Sequence, residues 1–142
     1  MERWFGDIRI MNQSVYFLDT HALYWHLIGS PRLSSLAANV FIEAQEGKAI
    51  LVVSYVVLAE LYYLLQKFNQ TSLFTPLLQD IQTIPYFRIE PIDFHDICDL
   101  GNYPTITELH DRLIVIATHR LNAILVTRDE TIRASPKIVC IW

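Results

Sequence analysis

Short apolar runs rich in β-branched and aromatic residues alternate along this chain with longer segments whose apolar positions repeat at helical spacing. Residues 15–18 form the first run and end on Asp19, after which residues 20–28 read as a helix stopped by Gly29-Ser30-Pro31. Ser34 or Ser35 caps a second helix to about residue 45, and Gly47 stops it before a strand at 49–53. Ser54 then caps a helix reaching about Phe68. Another helix is expected over residues 72–84, closed by Pro85, followed by a strand at 88–92 and a short helix opened by Asp93. Thr107 is expected to cap a strongly apolar helix over 108–121 with Asn122 at its end. A strand at 123–127 stops at Arg128-Asp129, and residues 137–141 form the last strand. Such alternation predicts an α/β fold, a three-layer α/β/α sandwich around a mainly parallel sheet of four to five strands with right-handed crossovers. Sheets of this kind hold their ligands beyond the carboxyl ends of the strands.

Composition narrows this picture. A chain of 142 residues that is 52% hydrophobic has the size and apolar content of one domain. Only 18% of residues are charged and mean hydropathy is +0.27, so a partner is expected to cover some apolar surface. The apolar stretch 49–65 approaches the length of a membrane span, but Ser54 divides it and Glu60 sits in its second half, which makes it a strand followed by a helix. Residues 1–14 mix Glu2, Arg3, Asp7 and Arg9 without an apolar core and do not resemble a secretory signal. Cys98 and Cys140 are too few for a disulfide framework or a cysteine metal site, and read as half-buried thiols suited to a reducing, cytoplasmic setting.

The candidate chemistry is acidic. Asp19 and Asp129 each follow a predicted strand, so both project into one end of the sheet if those strands are neighbours. Glu60 lies in an apolar helix, where a charge is costly unless paired or bound to a cation. Asp111 occupies the first turn of the later apolar helix, with Glu108 three residues earlier on the same face. Hydrolysis of a phosphodiester needs an activated water, a polarised phosphoryl oxygen and a stabilised leaving oxygen, which one or two magnesium or manganese ions supply. Hard cations of this kind take oxygen ligands, and four convergent acids meet that need. Asp19 and Asp129 are the candidates for direct ligands, with Asp111 and Glu60 holding a second metal or orienting water. The net charge of −4 looks wrong for a nucleic-acid enzyme, but a bound divalent cation reverses the local field.

Each acid has an ordinary explanation as well. Asp19 serves equally as a helix N-cap, and Asp129 and Asp111, taken singly, read better as a turn or cap residue and a dipole partner. For Glu60 the best structural alternative is a salt bridge to a distant Arg. Four independent structural causes seldom place four acids where a strand-end cluster requires them, and that coincidence favours function. The five histidines lack zinc spacing and are read as structural or surface residues. Arg112 and Arg128 adjoin site acids and are expected to contact either a nucleic-acid phosphate or those acids. Tyr24, Trp25, Tyr55, Tyr62 and Tyr63 are assigned to core and interface rather than to base stacking. A haloacid-dehalogenase-like phosphatase would want a second Asp where this chain has His21, and a receiver domain would need an acidic pair that is missing.

Four segments, Tyr16-Phe-Leu-Asp-Thr-His-Ala-Leu23, Ser54-Tyr-Val-Val-Leu-Ala-Glu-Leu61, His110-Asp-Arg-Leu-Ile-Val-Ile-Ala-Thr118 and Leu125-Val-Thr-Arg-Asp129, together resemble the PIN domains, in particular the VapC-type toxins of toxin-antitoxin pairs. The resemblance implies a PIN-like fold and a magnesium- or manganese-dependent endoribonuclease. It places the family's acids on Asp19, Glu60, Asp111 and Asp129 as catalytic and metal-holding residues. Thr127 matches the hydroxyl residue that accompanies the last acid, where it would position a metal-bound water, and Glu108 is an auxiliary candidate for a further acid. RNA as substrate, a homodimer and a small neutralising antitoxin are the implied partners. The competing reading is a PIN-like module that binds RNA or protein without cutting. The usual family start falls on Met11, so residues 1–10 are expected to be an extension and 11–142 the single domain.

Overall fold

The computed structural model describes residues 13–142, so the expectation about residues 1–10 lies outside the described residues. The first strand, β1, is Ser14–Leu18, and its last three side chains are buried. Asp19 follows it and caps helix α1, Thr20–Leu27. Gly29, at φ 65°, turns the chain towards α2, Ser35–Gln45, whose N-cap is Ser34. Gly47, at φ 79°, takes the left-handed conformation that glycine tolerates without strain, and delivers the chain to β2, Ala49–Ser54. Ser54 is both the last residue of β2 and the N-cap of α3, Tyr55–Lys67, its hydroxyl accepting from Val57 N at 3.1 Å. That double role makes the strand-to-helix turn abrupt and holds Glu60 about one and a half turns beyond the sheet.

After α3, the expected helix over 72–84 is a 3₁₀ turn at Thr71–Leu73 running into α4, Phe74–Thr83. Strand β3 is Phe87–Glu90, α5 is Phe94–Cys98 with Asp93 in a capping box, and α6 is Leu109–Arg120. Thr107 does not cap α6. Glu108 occupies the N-cap position and makes no side-chain cap bond. Asn122, at φ 53°, closes the turn into β4, Ile124–Val126. A four-residue helix, α7, Glu130–Arg133, was not anticipated, because the loop after Asp129 reads as a turn; β5, Val139–Ile141, ends the sheet.

The five strands are all parallel, in the order β3-β2-β1-β4-β5. From β1 the chain moves outward through β2 to β3, then crosses back to β4 on the other side of β1. Connections of this kind carry the helices over both faces of the sheet. β2 is buried at every residue, as a strand covered on both faces must be. The direction of travel reverses between β1 and β4, so the connections leaving their carboxyl ends run opposite ways and open a crevice at that point. Among the described residues no helix is long and apolar enough to cross a membrane. Cys140 is half-buried as expected, whereas Cys98 is exposed.

Candidate active site

The crevice between β1 and β4 is an open cleft of about 960 Å³ lined by Asp19, Glu60, Glu108, Asp111 and Asp129 among others. Five acids separated by as many as 110 positions in sequence thus meet at one place. Asp19 arrives because β1 ends there. Its backbone N–H still donates to Val126 O at 3.1 Å, which continues the pairing with β4 and fixes the carboxylate at the switch point. Asp129 arrives two residues beyond β4 and caps α7, its Oδ1 accepting from Ile132 N at 3.0 Å. Both are also N-caps, and in each the cap bond falls on Oδ1.

Two threonines organise the acids. Thr127, fully buried, donates its hydroxyl proton to Asp19 Oδ2 at 2.6 Å and accepts from Asp129 N at 3.1 Å. Its single proton is committed to the carboxylate, which it thereby orients. Thr20, 6% exposed, gives its backbone N–H to Asp19 Oδ1 at 2.7 Å and its hydroxyl to Glu60 Oε1 at 2.7 Å. Sequence reading quoted Thr20 within its motif but gave it no role. The signal was available: a hydroxyl beside a strand-end acid faces whatever that acid faces.

Among the described residues Glu60 forms no ion pair with an Arg. Its other oxygen, Oε2, stands 3.2 Å from His110 Nδ1, and His110 also lies 3.9 Å from Glu108. His110, taken as structural or surface, is therefore part of the site. Position explains it, since His110 sits in the first turn of α6 next to Asp111, and α6 packs against α3. Among the described residues Arg112 forms no ion pair with Asp111. It donates to the carbonyls of Ile106 and, at 3.1 Å, Leu100, pinning the loop that leads into α6. Arg128 lies over the Trp25 ring with its guanidinium carbon 5.1 Å from the centroid, and lines the cleft.

Electrostatically the cluster is unbalanced. Burial, then the neighbouring charges of Asp19, Asp129, Glu60 and Glu108, push the Asp111 carboxyl up to about 7. Burial also raises Asp19, against the opposing hydrogen bonds from Thr127 and Thr20. Among the described residues no Lys or Arg forms an ion pair with any of the five acids. A divalent cation fits such a set, since it supplies the missing positive charge to hard oxygen donors. No three His, Cys, Asp or Glu side chains among the described residues already stand as a ready ligand group. Magnesium-type ions need none, because they keep several waters and take one or two carboxylates directly.

Comparison with known proteins bears on the family and the fold. A family model described as PIN domain matches residues 16–137. Comparison with curated protein sequences finds no match. Among solved structures, VapBC2 from Rickettsia felis bound to a DNA fragment from their promoter shares 20% identity with a TM-score of 0.68, covering 90% of this chain and 98% of that chain. FitAcB from Neisseria gonorrhoeae shares 15% identity with a TM-score of 0.65, covering 89% and 96%. DNA-bound VapBC from Salmonella typhimurium shares 14% identity with a TM-score of 0.67, covering 91% and 98%.

Proposed function

This chain belongs to the PIN-domain family, and from that premise we propose that it is a divalent-metal-dependent endoribonuclease acting as the toxin of a toxin-antitoxin pair. The convergence of Asp19, Glu60, Asp111 and Asp129 on one cleft without a cationic partner among the described residues carries this reading. These four would hold magnesium or manganese, which when bound activates water and stabilises charge on the phosphoryl group. The protein's own part is positional. Thr127 and Thr20 fix the Asp19 carboxylate from both oxygens, and Thr20 with His110 holds Glu60. Asp111, already drawn towards neutrality, is the acid whose charge the site accommodates least well without a cation. Glu108, 71% exposed, stands at the rim and is auxiliary.

The antitoxin half of the reading is supported by two observations. The structural relatives include VapBC and FitAB assemblies, and this chain carries exposed apolar side chains on α2 and α3, among them Leu36, Ile42, Tyr55 and Tyr62. Those surfaces suit a small partner and a second copy of the chain.

A panel of single- and double-stranded RNAs incubated with magnesium or manganese tests the proposal. Cleavage is expected with either ion, is abolished by EDTA, and falls by more than about 100-fold in Asp19→Asn, since outer-shell partners alone cost 10- to 100-fold. Co-expression with a small protein encoded alongside should suppress it. RNA cutting that survives both chelation and Asp19→Asn would overturn the assignment, and binding without any cutting would favour the silent PIN-like module.

A further inference from the structure

Helix α3 carries more of the cleft than Glu60. Glu60, Tyr63, Leu64 and Lys67 lie at positions i, i+3, i+4 and i+7, one face of the helix, and all four line the cleft. At 1.5 Å rise per residue, Tyr63 stands about 4.5 Å and Lys67 about 10.5 Å along the axis from Glu60. The buried seam of α3, Val57, Leu61 and Leu65, faces elsewhere, so nothing in the core calls for a tyrosine at this place. Tyr63 is 72% exposed, and its ring contact is an edge-on approach to Tyr62 at 6.3 Å between centroids. The sequence reading assigned it to core or interface, but it is not in the core.

Charge follows the same line. The cleft that is acidic at the β1/β4 switch point is also lined by Arg32, Lys67 and Arg128. Lys67 Nζ lies 5.6 Å from the centroid of the Phe68 ring, and among the described residues no carboxylate forms an ion pair with it. Acids, cations that no carboxylate among the described residues pairs, and an exposed ring line one cleft, a combination that complements an extended polyanion with planar bases.

We propose that the Tyr63–Lys67 face of α3 is a subsite for single-stranded RNA next to the scissile position, with Tyr63 stacking one base and Lys67 contacting a neighbouring backbone phosphate. The proposal rests on the ribonuclease reading and adds to it the side chains of α3 that hold the strand. Stacking on a side chain requires an unpaired base, so the subsite accepts single strands and rejects duplex. Every base has a π-face, so Tyr63 contributes affinity without strong preference for sequence.

Binding of a fluorescently labelled, mixed-sequence single-stranded RNA by anisotropy, in magnesium and in an Asp111→Asn background that holds the RNA intact, tests this directly. Tyr63→Ala should weaken binding roughly 5- to 150-fold, the range for loss of one base–aromatic stack, while Tyr63→Phe binds like the parent. Lys67→Gln should flatten the dependence of log affinity on log salt by about 0.7, the value for one phosphate contact on a single strand. Tyr55→Ala, an exposed tyrosine on the same helix that does not line the cleft, should change nothing. A duplex of the same sequence should bind no better to the parent than to Tyr63→Ala. Unchanged single-strand affinity in Tyr63→Ala overturns the subsite, even if the wild-type chain cuts RNA as proposed. Loss of a co-purifying protein partner by Tyr63→Ala with RNA affinity intact reassigns the wall to that partner and likewise overturns it. The expected affinity losses in a chain that never cuts RNA would support the subsite and sink the nuclease reading alone.

Discussion

Carboxylates are withdrawn from water at two places in this fold, and the chain treats them in opposite ways. Where α5 and β3 meet the C-terminal end of α6, Asp96 is 2% exposed and receives Arg120 on both oxygens, Nε to Oδ1 at 2.8 Å and Nη2 to Oδ2 at 3.0 Å. Arg120 Nη1 reaches Glu90 at 2.8 Å, and Asp93 N donates to Asp96 Oδ2 at 3.0 Å. The hydrogen bond with Asp96 holds that guanidinium still more firmly protonated. In the cleft, five acids receive threonine hydroxyls, backbone N–H groups and one histidine, and burial with mutual repulsion leaves Asp111 at about 7. A carboxylate kept for architecture is built with its counter-charge. Acids gathered without one belong to a site completed by something the chain binds.

The largest expected effect comes from breaking the compensated cluster. Arg120→Ala leaves Asp96 buried and unpaired beside Glu90, and removal of one partner from a buried pair costs about 3–5 kcal/mol. Urea denaturation followed by circular dichroism should show that loss, while cleavage per folded molecule at low temperature stays at the wild-type rate. Unchanged stability in Arg120→Ala would erase the contrast between the two regions.

Next in size are the hydroxyls that stand in the cleft where Arg120 stands in the other cluster. Thr127→Val and Thr20→Val remove the donors to Asp19 and Glu60 with little change of volume. If those carboxylates hold the metal as proposed, each substitution should lower manganese affinity, read by calorimetry, and cleavage rate by about 10- to 100-fold. A drop in melting temperature with cleavage per folded molecule unchanged would make these threonines packing residues and nothing more.

Both clusters were unequally legible in the sequence. The strand-end acids could be placed because periodicity locates a strand and its last residue, which is why Asp19 and Asp129 fell where expected. Glu60 stood out because an acid inside an apolar helix needs a partner, yet the partner's identity was hidden. Periodicity does not say which helices cross, so His110 in α6 and Thr20 in α1 could not be joined to α3 beforehand. For the same reason Arg112 looked like a site residue when its side chain turns back to cap a loop, and the Asp96–Arg120 pair, 24 positions apart, left no sign. The cap of α6 failed for a local reason. Thr107 lies one residue outside the N-cap, and Glu108 takes that position with its carboxylate turned to His110.

The smallest effect expected is one of pH on the metal-free protein, and it sharpens the contrast because only the uncompensated cluster produces it. An ordinary Asp in the unfolded chain ionises near 3.8, whereas Asp111 in the folded cleft keeps its proton to about 7. Between those values the unfolded state binds fewer protons than the folded one, so this group makes stability fall as pH rises, with the penalty complete above about 7. Asp111→Asn places a neutral side chain of the same shape there. In EDTA it should melt higher than wild type at pH 8, by about 4 °C for each kcal/mol recovered in a domain of this size, with the gain vanishing towards pH 4. Magnesium should close the gap at pH 8 by stabilising the wild type more than the variant. Scanning calorimetry across that range decides the matter: equal melting temperatures at pH 8 in EDTA would mean that the cleft already compensates its acids, and the reason for placing a cation there would be lost.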